Sequence, residues 1–196
     1  MSIEVYPLFS NPVMHLRAEL PALDLSNVEW GQNYTNKIST NQHILELDEF
    51  SSLKDICLSG LKEYFYGLMN VVEDTEIYIT ESWLNMTSKD EVHHRHWHPN
   101  SIVSGVLYLE TELDAGGEIM FITSKYDTLE FDIKAASIYN SKSWSLPPMP
   151  GSFLLFPSNQ EHLVEQYRGE TPRISLSFNS FVKGPINKQA LTKLSI

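Results

Sequence analysis

The stretch that decides the fold covers residues 91–110 and reads EVHHRHWHPNSIVSGVLYLE. Its two segments 92–98 and 102–110 have the short length and the β-branched and aromatic composition of strands, and Pro99 and Asn100 lie between them. The same pattern continues through the C-terminal half, where turn signals separate the segments. The further candidate strands are Glu76–Asn85, Glu118–Ile122, Ser152–Phe156, Glu161–Gln166 and Arg173–Phe181. Many short strands separated by turns predict a double-sheet sandwich or barrel.

The N-terminal third predicts one convincing helix, over residues 52–71. Ser52 with Asp55 resembles a capping box, and apolar residues recur at three- and four-residue steps. Gly60 lies on this apolar stripe and leaves room for a neighbouring backbone. The alternating segment Ile3–Phe9 predicts an edge strand, because Pro7 cannot donate to a sheet. Residues 27–42 are rich in Asn, Thr and Ser and predict a loop.

Length and composition limit the class of protein. A chain of 196 residues with 42% hydrophobic and 20% charged residues is typical of one globular domain. The formal charge of −11 disfavours general nucleic-acid binding and docking on anionic membranes. The single cysteine, Cys57, excludes an internal disulfide and is predicted to lie in the core. We see no apolar run long enough to span a bilayer and no signal-peptide pattern, and therefore expect a cytoplasmic protein without a membrane partner.

Four of the seven histidines lie between residues 93 and 98. Because side chains alternate along a strand, we expect the three even-numbered histidines on one face and His93, Arg95 and Trp97 on the other. Imidazoles two residues apart on a strand can reach one metal ion, whereas the alternative is a solvated, histidine-rich hairpin edge. A metal site between strands needs a ligand from another strand, and His162 is the candidate.

Arg173 opens the last long strand and shares a face with Ser175 and Ser177. An arginine directed into a barrel is costly unless it is paired. A carboxylate ligand would pair with it through two hydrogen bonds, with the Ser175 hydroxyl as a second donor. A salt bridge to an acidic residue and an exposed arginine are the alternatives.

Five segments, in this order and spacing, resemble the Fe(II)/2-oxoglutarate-dependent oxygenase superfamily. More narrowly, they are similar to a group of small 2-oxoglutarate oxygenases from bacterial and phage genomes. The matching segments are His96–Ser101, Ser104–Tyr108, Pro150–Ser158, His162–Val164 and Pro172–Asn179. The resemblance covers residues 76–182 and implies a mainly β (α+β) fold, a double-stranded β-helix or jelly roll with N-terminal helices packed on one sheet.

The resemblance also implies an enzyme that uses Fe(II), 2-oxoglutarate and molecular oxygen to hydroxylate an unknown substrate. The implied site consists of three metal ligands, His96, His98 and His162, and three cosubstrate contacts, Arg173, Ser175 and Asn85. We expect one domain over residues 1–196. It would comprise an N-terminal strand, loops and supporting helix (1–74), a jelly-roll core (75–182) and a C-terminal tail (183–196).

One position departs from the superfamily pattern, because His98 stands where the usual ferrous site has a carboxylate. Glu91, Asp114 or Glu118 could supply a carboxylate instead, but none has the expected spacing from His96. Two other functions stay open: a cupin-like dioxygenase with three histidine ligands that does not use 2-oxoglutarate, and a non-catalytic jelly-roll binding module. A homodimer is compatible with such a fold.

The segment Thr123–Pro150 contains Tyr126, Tyr139 and Trp144 and is a candidate substrate lid. A plain structural cover is the alternative for this segment.

Overall fold

The computed structural model describes residues 2–123, 129, 131–188 and 191–196, which form mainly antiparallel β structure. The helical elements are the 3₁₀ turns Ile44–Glu46 and Asp48–Phe50, the α-helix α1 (Ser51–Lys62) and a π-helical turn, Glu63–Leu68. The strands in chain order are β1 (Met14–Arg17), β2 (Trp30–Gln32), β3 (Lys37–Ser39), β4 (Glu76–Thr87), β5 (His93–His96), β6 (Val103–Glu110), β7 (Ile119–Ile122), β8 (Ser143–Leu146), β9 (Ser152–Pro157), β10 (His162–Val164), β11 (Arg173–Lys183), β12 (Pro185–Ile186) and β13 (Leu194–Ser195).

Two sheets make up the body of the fold. The large sheet has the order β1-β9-β6-β11-β4-β3-β2, and the small sheet has the order β5-β10-β7-β8. From β4 to β11 the chain passes back and forth between the two sheets, which is the topology of a double-stranded β-helix. The expected fold class is therefore confirmed.

The large sheet presents one face to α1 and the other to the small sheet. Leu84, Leu107 and Leu176 lie side by side on the helix face and pack in one core with Leu53 and Leu61 of α1. Their neighbours along the strands point the other way, because successive side chains alternate. A second, smaller core lies between the sheets and includes Tyr108, Leu154, Ile119 and Phe121.

Gly60 on α1 is a point of close approach. A Cβ built on Gly60 would lie 2.3 Å from Cε1 of Phe153, which projects from β9. The sequence predicted such an approach but expected a backbone there, and the neighbour is an aromatic ring. Cys57, one turn away, is fully buried, as predicted.

Several N-terminal predictions are wrong. Ile3–Phe9 forms no strand, and its residues are exposed. The first strand is β1, which pairs with β9. Residues 27–42 are not all loop, because β2 and β3 pair there and extend the large sheet through β4. Their polar residues tolerate this position at the edge of the sheet.

The predicted helix over 52–71 is also corrected. Its capping box does not form: the helix follows directly on a 3₁₀ turn and has no side-chain cap hydrogen bond. The α-helix ends at Lys62 and continues as a π-helical turn to Leu68, whose side chain is exposed and not on the core stripe. No described helix is long and apolar enough to cross a membrane.

The division of the chain at residues 74 and 182 stays a prediction. Strands β1, β2 and β3 come from the segment 1–74, yet they share the large sheet with strands of the predicted core. The candidate lid Thr123–Pro150 contains strand β8, which the sequence did not predict. Its Tyr126 lies outside the described residues.

Candidate metal centre

A β-bulge decides which histidines share a face. His162 of β10 is opposite His96, but Val164, two residues on, is opposite His93, which is three residues from His96. The extra residue on β5 breaks the simple alternation. The prediction that His93 faces away from His96 is therefore wrong: the two rings stack at 4.6 Å between centroids and line the same cavity.

Three histidines converge at one end of this cavity. The candidate ligand atoms of His96, His98 and His162 all lie within 4.8 Å of one another. His96 is the last residue of β5 and His162 is the first residue of β10. His98 lies in the loop after β5, and its backbone N–H donates to the carbonyl of Ser158 at 2.9 Å. Small side-chain adjustments would place the three nitrogens about 2.1 Å from one common metal ion, which is the usual length of a metal–imidazole bond.

The hydrogen bonds of two rings select the nitrogen that faces the site. Nδ1 of His96 lies 2.7 Å from the carbonyl oxygen of His94, and Nδ1 of His162 lies 2.9 Å from that of Gln160. Carbonyls only accept, so each Nδ1 carries the proton and each Nε2 keeps its lone pair. This arrangement is typical of metal-binding histidines.

The rings are also held in the neutral form. Burial lowers the pKa of His98 to about 4 and that of His162 to about 3, and it lowers the pKa of His96 as well. Neutral imidazole is the form that binds metals.

Carboxylates do not join this group in the described part of the chain, where every candidate cluster consists of histidines. Glu91, one of the alternatives, instead accepts a hydrogen bond of 2.7 Å from the backbone N–H of Ser88. The donor set is thus three neutral imidazoles, which fits a divalent first-row metal such as iron.

Arg173 occupies the other end of the cavity. Its side chain is 2% exposed, and its guanidinium lies over the Tyr108 ring, 4.8 Å from the centroid. No acidic side chain of the described residues forms an ion pair with it. The salt bridge and the exposed position considered for Arg173 are both excluded within this part of the structure.

Unpaired polar atoms gather around this arginine. Four buried atoms lack a hydrogen-bond partner among the described residues near this end of the cavity: Arg173 Nε, Thr87 Oγ1, Asn85 Oδ1 and Tyr108 OH. The register places them on one face, with Thr87 opposite Arg173, and with Asn85 and Tyr108 on either side of Ser175. Buried polar groups are normally paired, so this cluster indicates a binding site for a polar anion.

The structure brings together all six predicted site residues. Each of them lines one cavity between the sheets, and they are His96, His98, His162, Arg173, Ser175 and Asn85. Asn85 also donates from Nδ2 to the Ser177 hydroxyl at 3.0 Å. Whether they act as ligands and cosubstrate contacts stays a prediction.

Sequence reasoning assigned no site role to Tyr108, Thr87, Trp83 or His93. Strand alternation could have found the first three, because Tyr108 shares a face with Val106, and Thr87 and Trp83 share one with Asn85. Trp83 lies beside His98, with 5.8 Å between ring centroids. His93 depends on the bulge, which leaves no signal in the sequence.

The candidate lid contributes one aromatic residue to this face. Trp144 of β8 is opposite Phe121 of β7, which in turn is opposite His162. Cross-strand partners share a face, so a row of rings leads from the histidines to the edge of the small sheet. Trp144 is 44% exposed there.

Comparison with known proteins identifies the family. Residues 81–179 match the model of the family described as "Putative 2OG-Fe(II) oxygenase", and the chain belongs to this family. It is an enzyme of the class that uses Fe(II), 2-oxoglutarate and oxygen, and the resemblance inferred from the sequence is confirmed. A search of curated proteins finds no match.

Solved structures share the fold. The prolyl-4-hydroxylase of Pseudomonas putida gives a TM-score of 0.55 at 15% identity, over 88% of this chain and 94% of that one. HygX from Streptomyces hygroscopicus, with nickel, 2-oxoglutarate and hygromycin B bound, gives 0.57 at 11% identity, over 87% and 82%. A 2OG-Fe(II) oxygenase family protein from Burkholderia pseudomallei gives 0.57 at 16% identity, over 79% and 72%.

Proposed function

We propose that this enzyme hydroxylates its substrate at a ferrous ion held by His96, His98 and His162, with 2-oxoglutarate bound between that ion and Arg173. The observation that carries the proposal is the buried guanidinium of Arg173, which has no ion-pair partner among the described acidic side chains and an unpaired Nε, at the far end of the cavity that the three histidines line. A buried cation without a partner is costly, and a carboxylate removes that cost.

The residues around Arg173 match the shape of one end of a dicarboxylate. The guanidinium and the Ser175 hydroxyl donate to the distal carboxylate, and the Tyr108 hydroxyl is free to donate as well. Asn85 lines the same end of the cavity. Its side-chain amide donates to the Ser177 hydroxyl, which fixes its orientation, and its side-chain carbonyl oxygen has no hydrogen-bond partner. Gly117 leaves room for the Arg173 side chain, because a Cβ there would lie 3.2 Å from Arg173 Cδ.

Three neutral imidazoles change the charge balance of the centre. A divalent ion and one guanidinium together carry three positive charges, and no carboxylate of the described residues is grouped with the three histidines. A dianionic cosubstrate offsets two of these charges, so the replacement of the usual carboxylate by His98 favours anion binding. When bound, the iron and 2-oxoglutarate would activate molecular oxygen, of which one atom enters succinate as 2-oxoglutarate loses CO₂ and the other hydroxylates a C–H bond of the substrate.

The first experiment is an anaerobic titration of Fe(II)-loaded protein with 2-oxoglutarate, followed through the metal-to-ligand charge-transfer band. We expect the band in the native protein. In Arg173→Ala we expect at least a tenfold weaker affinity, because a charge-assisted, bidentate hydrogen bond is lost. Arg168→Ala is the matched control, since Arg168 is exposed on the preceding loop and should leave the titration unchanged.

The same titration separates the competing functions. Iron binding without the band would favour a three-histidine dioxygenase that does not use 2-oxoglutarate. A native protein that binds no iron would contradict the assignment of His96, His98 and His162 as the metal ligands. The cytoplasmic location, a homodimer and the lack of general nucleic-acid binding stay predictions from the sequence.

A further inference from the structure

His93 is a fourth imidazole in the cavity that the proposed metal ligands do not account for. The bulge on β5 directs it inward, and its ring stacks on His96 with an interplanar angle of 18°. It is opposite Val164, which also lines the cavity. The described ring contacts of His93 are with His94 and His96, and, besides burial, the charge of Arg173 is one of the causes that lower its pKa, so His93 lies toward the arginine end of the cavity.

His93 forms no side-chain hydrogen bond with another described residue, and its ring nitrogens are not among the fully buried polar atoms, so they are accessible from the cavity that the ring lines. His96 and His162 differ from His93 in this respect, because the Nδ1–H of each donates a hydrogen bond to a backbone carbonyl. Half-buried imidazoles usually pair their N–H with protein or water. An N–H that lines the cavity and has no protein partner is available to a cavity ligand that accepts a hydrogen bond.

Across the cavity stands the polar face of the large sheet, with Asn85, Ser175 and Arg173. These residues serve one carboxylate of a dicarboxylate. Its second carboxylate must lie nearer the three histidines, where the uncharged donors that line the cavity include His93 on the small sheet and Trp83 on the large sheet. His93 is placed between the two ends.

We propose that His93 binds the cosubstrate, donating its N–H to a carboxylate of 2-oxoglutarate from the wall opposite Arg173. The inference rests on the proposed function and adds a contact from the small sheet. It gives the cosubstrate hydrogen-bond donors on both walls of the cavity, which fixes its orientation more firmly than Arg173 alone.

His93 also belongs to a second group of candidate ligands, because ligand atoms of His93, His94 and His96 lie within 4.8 Å of one another. An ion held there would compete for His96 with the ion held by His98 and His162. The ring of His94 instead packs against Tyr34, outside the cavity. We therefore assign His93 to the cosubstrate, and the experiment includes a variant at His94.

The test is the anaerobic 2-oxoglutarate titration of His93→Phe and His93→Gln, with iron content measured on the same samples. His93→Phe keeps the ring volume and removes the donor, so we expect one iron per chain and a Kd raised about tenfold. His93→Gln keeps an amide N–H and should recover much of the affinity. His43→Phe, at an exposed histidine that does not line the cavity, should match the native Kd.

Three results would overturn the inference. An unchanged Kd in His93→Phe would show that the imidazole does not contact the cosubstrate. A loss of iron in that variant would show that His93 acts on the metal through His96. A second metal equivalent that disappears in both His93→Phe and His94→Phe would assign the pair to a metal.

If the native protein itself gives no charge-transfer band, the proposed function fails first, before any variant is compared. Circular dichroism of each variant confirms folding, and His93→Ala replaces His93→Phe if the larger ring does not fold.

Discussion

At the residue scale, His162 connects the proposed metal site to the framework of the small sheet. It is 4% exposed, its Nδ1 proton is held by the Gln160 carbonyl, and its ring packs against Phe156. Replacing His162 with Ala removes one of three ligands from a preformed group and leaves the other two in place. We expect stoichiometric iron binding to be lost while the fold is retained, as measured by iron content and circular dichroism. Full iron content in His162→Ala would exclude it as a ligand.

Acid sensitivity of the metal-free protein follows from the same rings. In the unfolded chain these histidines bind protons near pH 6.5, whereas in the native state the pKa is about 4 for His98 and about 3 for His162. The unfolded state therefore binds more protons in this interval, and the free energy of unfolding falls as pH falls. The contribution of these two histidines to the free energy of unfolding should be fully present above pH 6.5 and should decline as the pH falls toward 4.

Urea midpoints of metal-free protein, measured at steps from pH 7.5 to 5, check this sign. His98→Gln removes one titrating ring, so its midpoint should depend less on pH than that of the native protein. A native midpoint that stays constant or rises on acidification would contradict the assigned pKa direction. Parallel slopes in the two proteins would show that other groups cause the effect.

At the element scale, the packing of α1 on the large sheet depends on a missing side chain. Gly60 costs the helix about 1 kcal/mol relative to Ala, yet a Cβ there would lie 2.3 Å from the Phe153 ring. Phe153 is 1% exposed and packs on Phe178, so it has little room to move. We expect Gly60→Ala to lower the free energy of unfolding by about 1–3 kcal/mol, because overpacking outweighs the gain in helix propensity.

Gly67 is the matched control for this helix. A Cβ there would meet Glu63 Oε1 at 2.7 Å, but that atom is the end of a flexible, exposed side chain. Gly67→Ala should be neutral or slightly stabilising in the same urea denaturation experiment. Equal losses at both positions would show that backbone conformation and not the Phe153 ring makes Gly60 necessary.

The elements also show what the sequence could predict. Strand β11 and the core stripe of α1 carry strong periodicity: the helix buries one face, and β11 alternates between an apolar face in the core and a polar face in the cavity. The bulge on β5 carries none, since it exists only in the pairing with β10, and this is why His93 was placed on the wrong face. The edge strands β2 and β3 are short and polar, and the sheet that receives them lies more than thirty residues further along the chain.

For the candidate site, the sequence indicated which residues could bind a metal or a cosubstrate, and the structure showed which other residues lie beside them. Spacing and resemblance selected six residues that share one cavity. Tyr108 and Thr87 escaped attention because a lone hydroxyl on a strand carries no signal until its lack of a partner is seen.

At the scale of the whole molecule, the first strand closes one edge of the large sheet. Strand β1 pairs with β9 along its full length, and the Tyr64 hydroxyl donates to the Pro12 carbonyl just before it. Strand β9 is almost entirely buried, so its edge would be exposed to water and to other chains without β1. The preceding residues 2–10 are all exposed and add little to this contact.

Two truncations separate these roles. Deleting residues 2–10 should leave the Tm unchanged and improve solubility, because it removes exposed apolar side chains such as Ile3 and Phe9. Deleting residues 2–17 removes β1 as well, uncovers β9 and should lower the Tm by roughly 5–10 °C, with aggregation on heating. Calorimetry and light scattering measure both effects. A similar Tm for the two truncations would mean that the large sheet does not depend on β1, and a loss already present in the shorter deletion would give residues 2–10 a structural role.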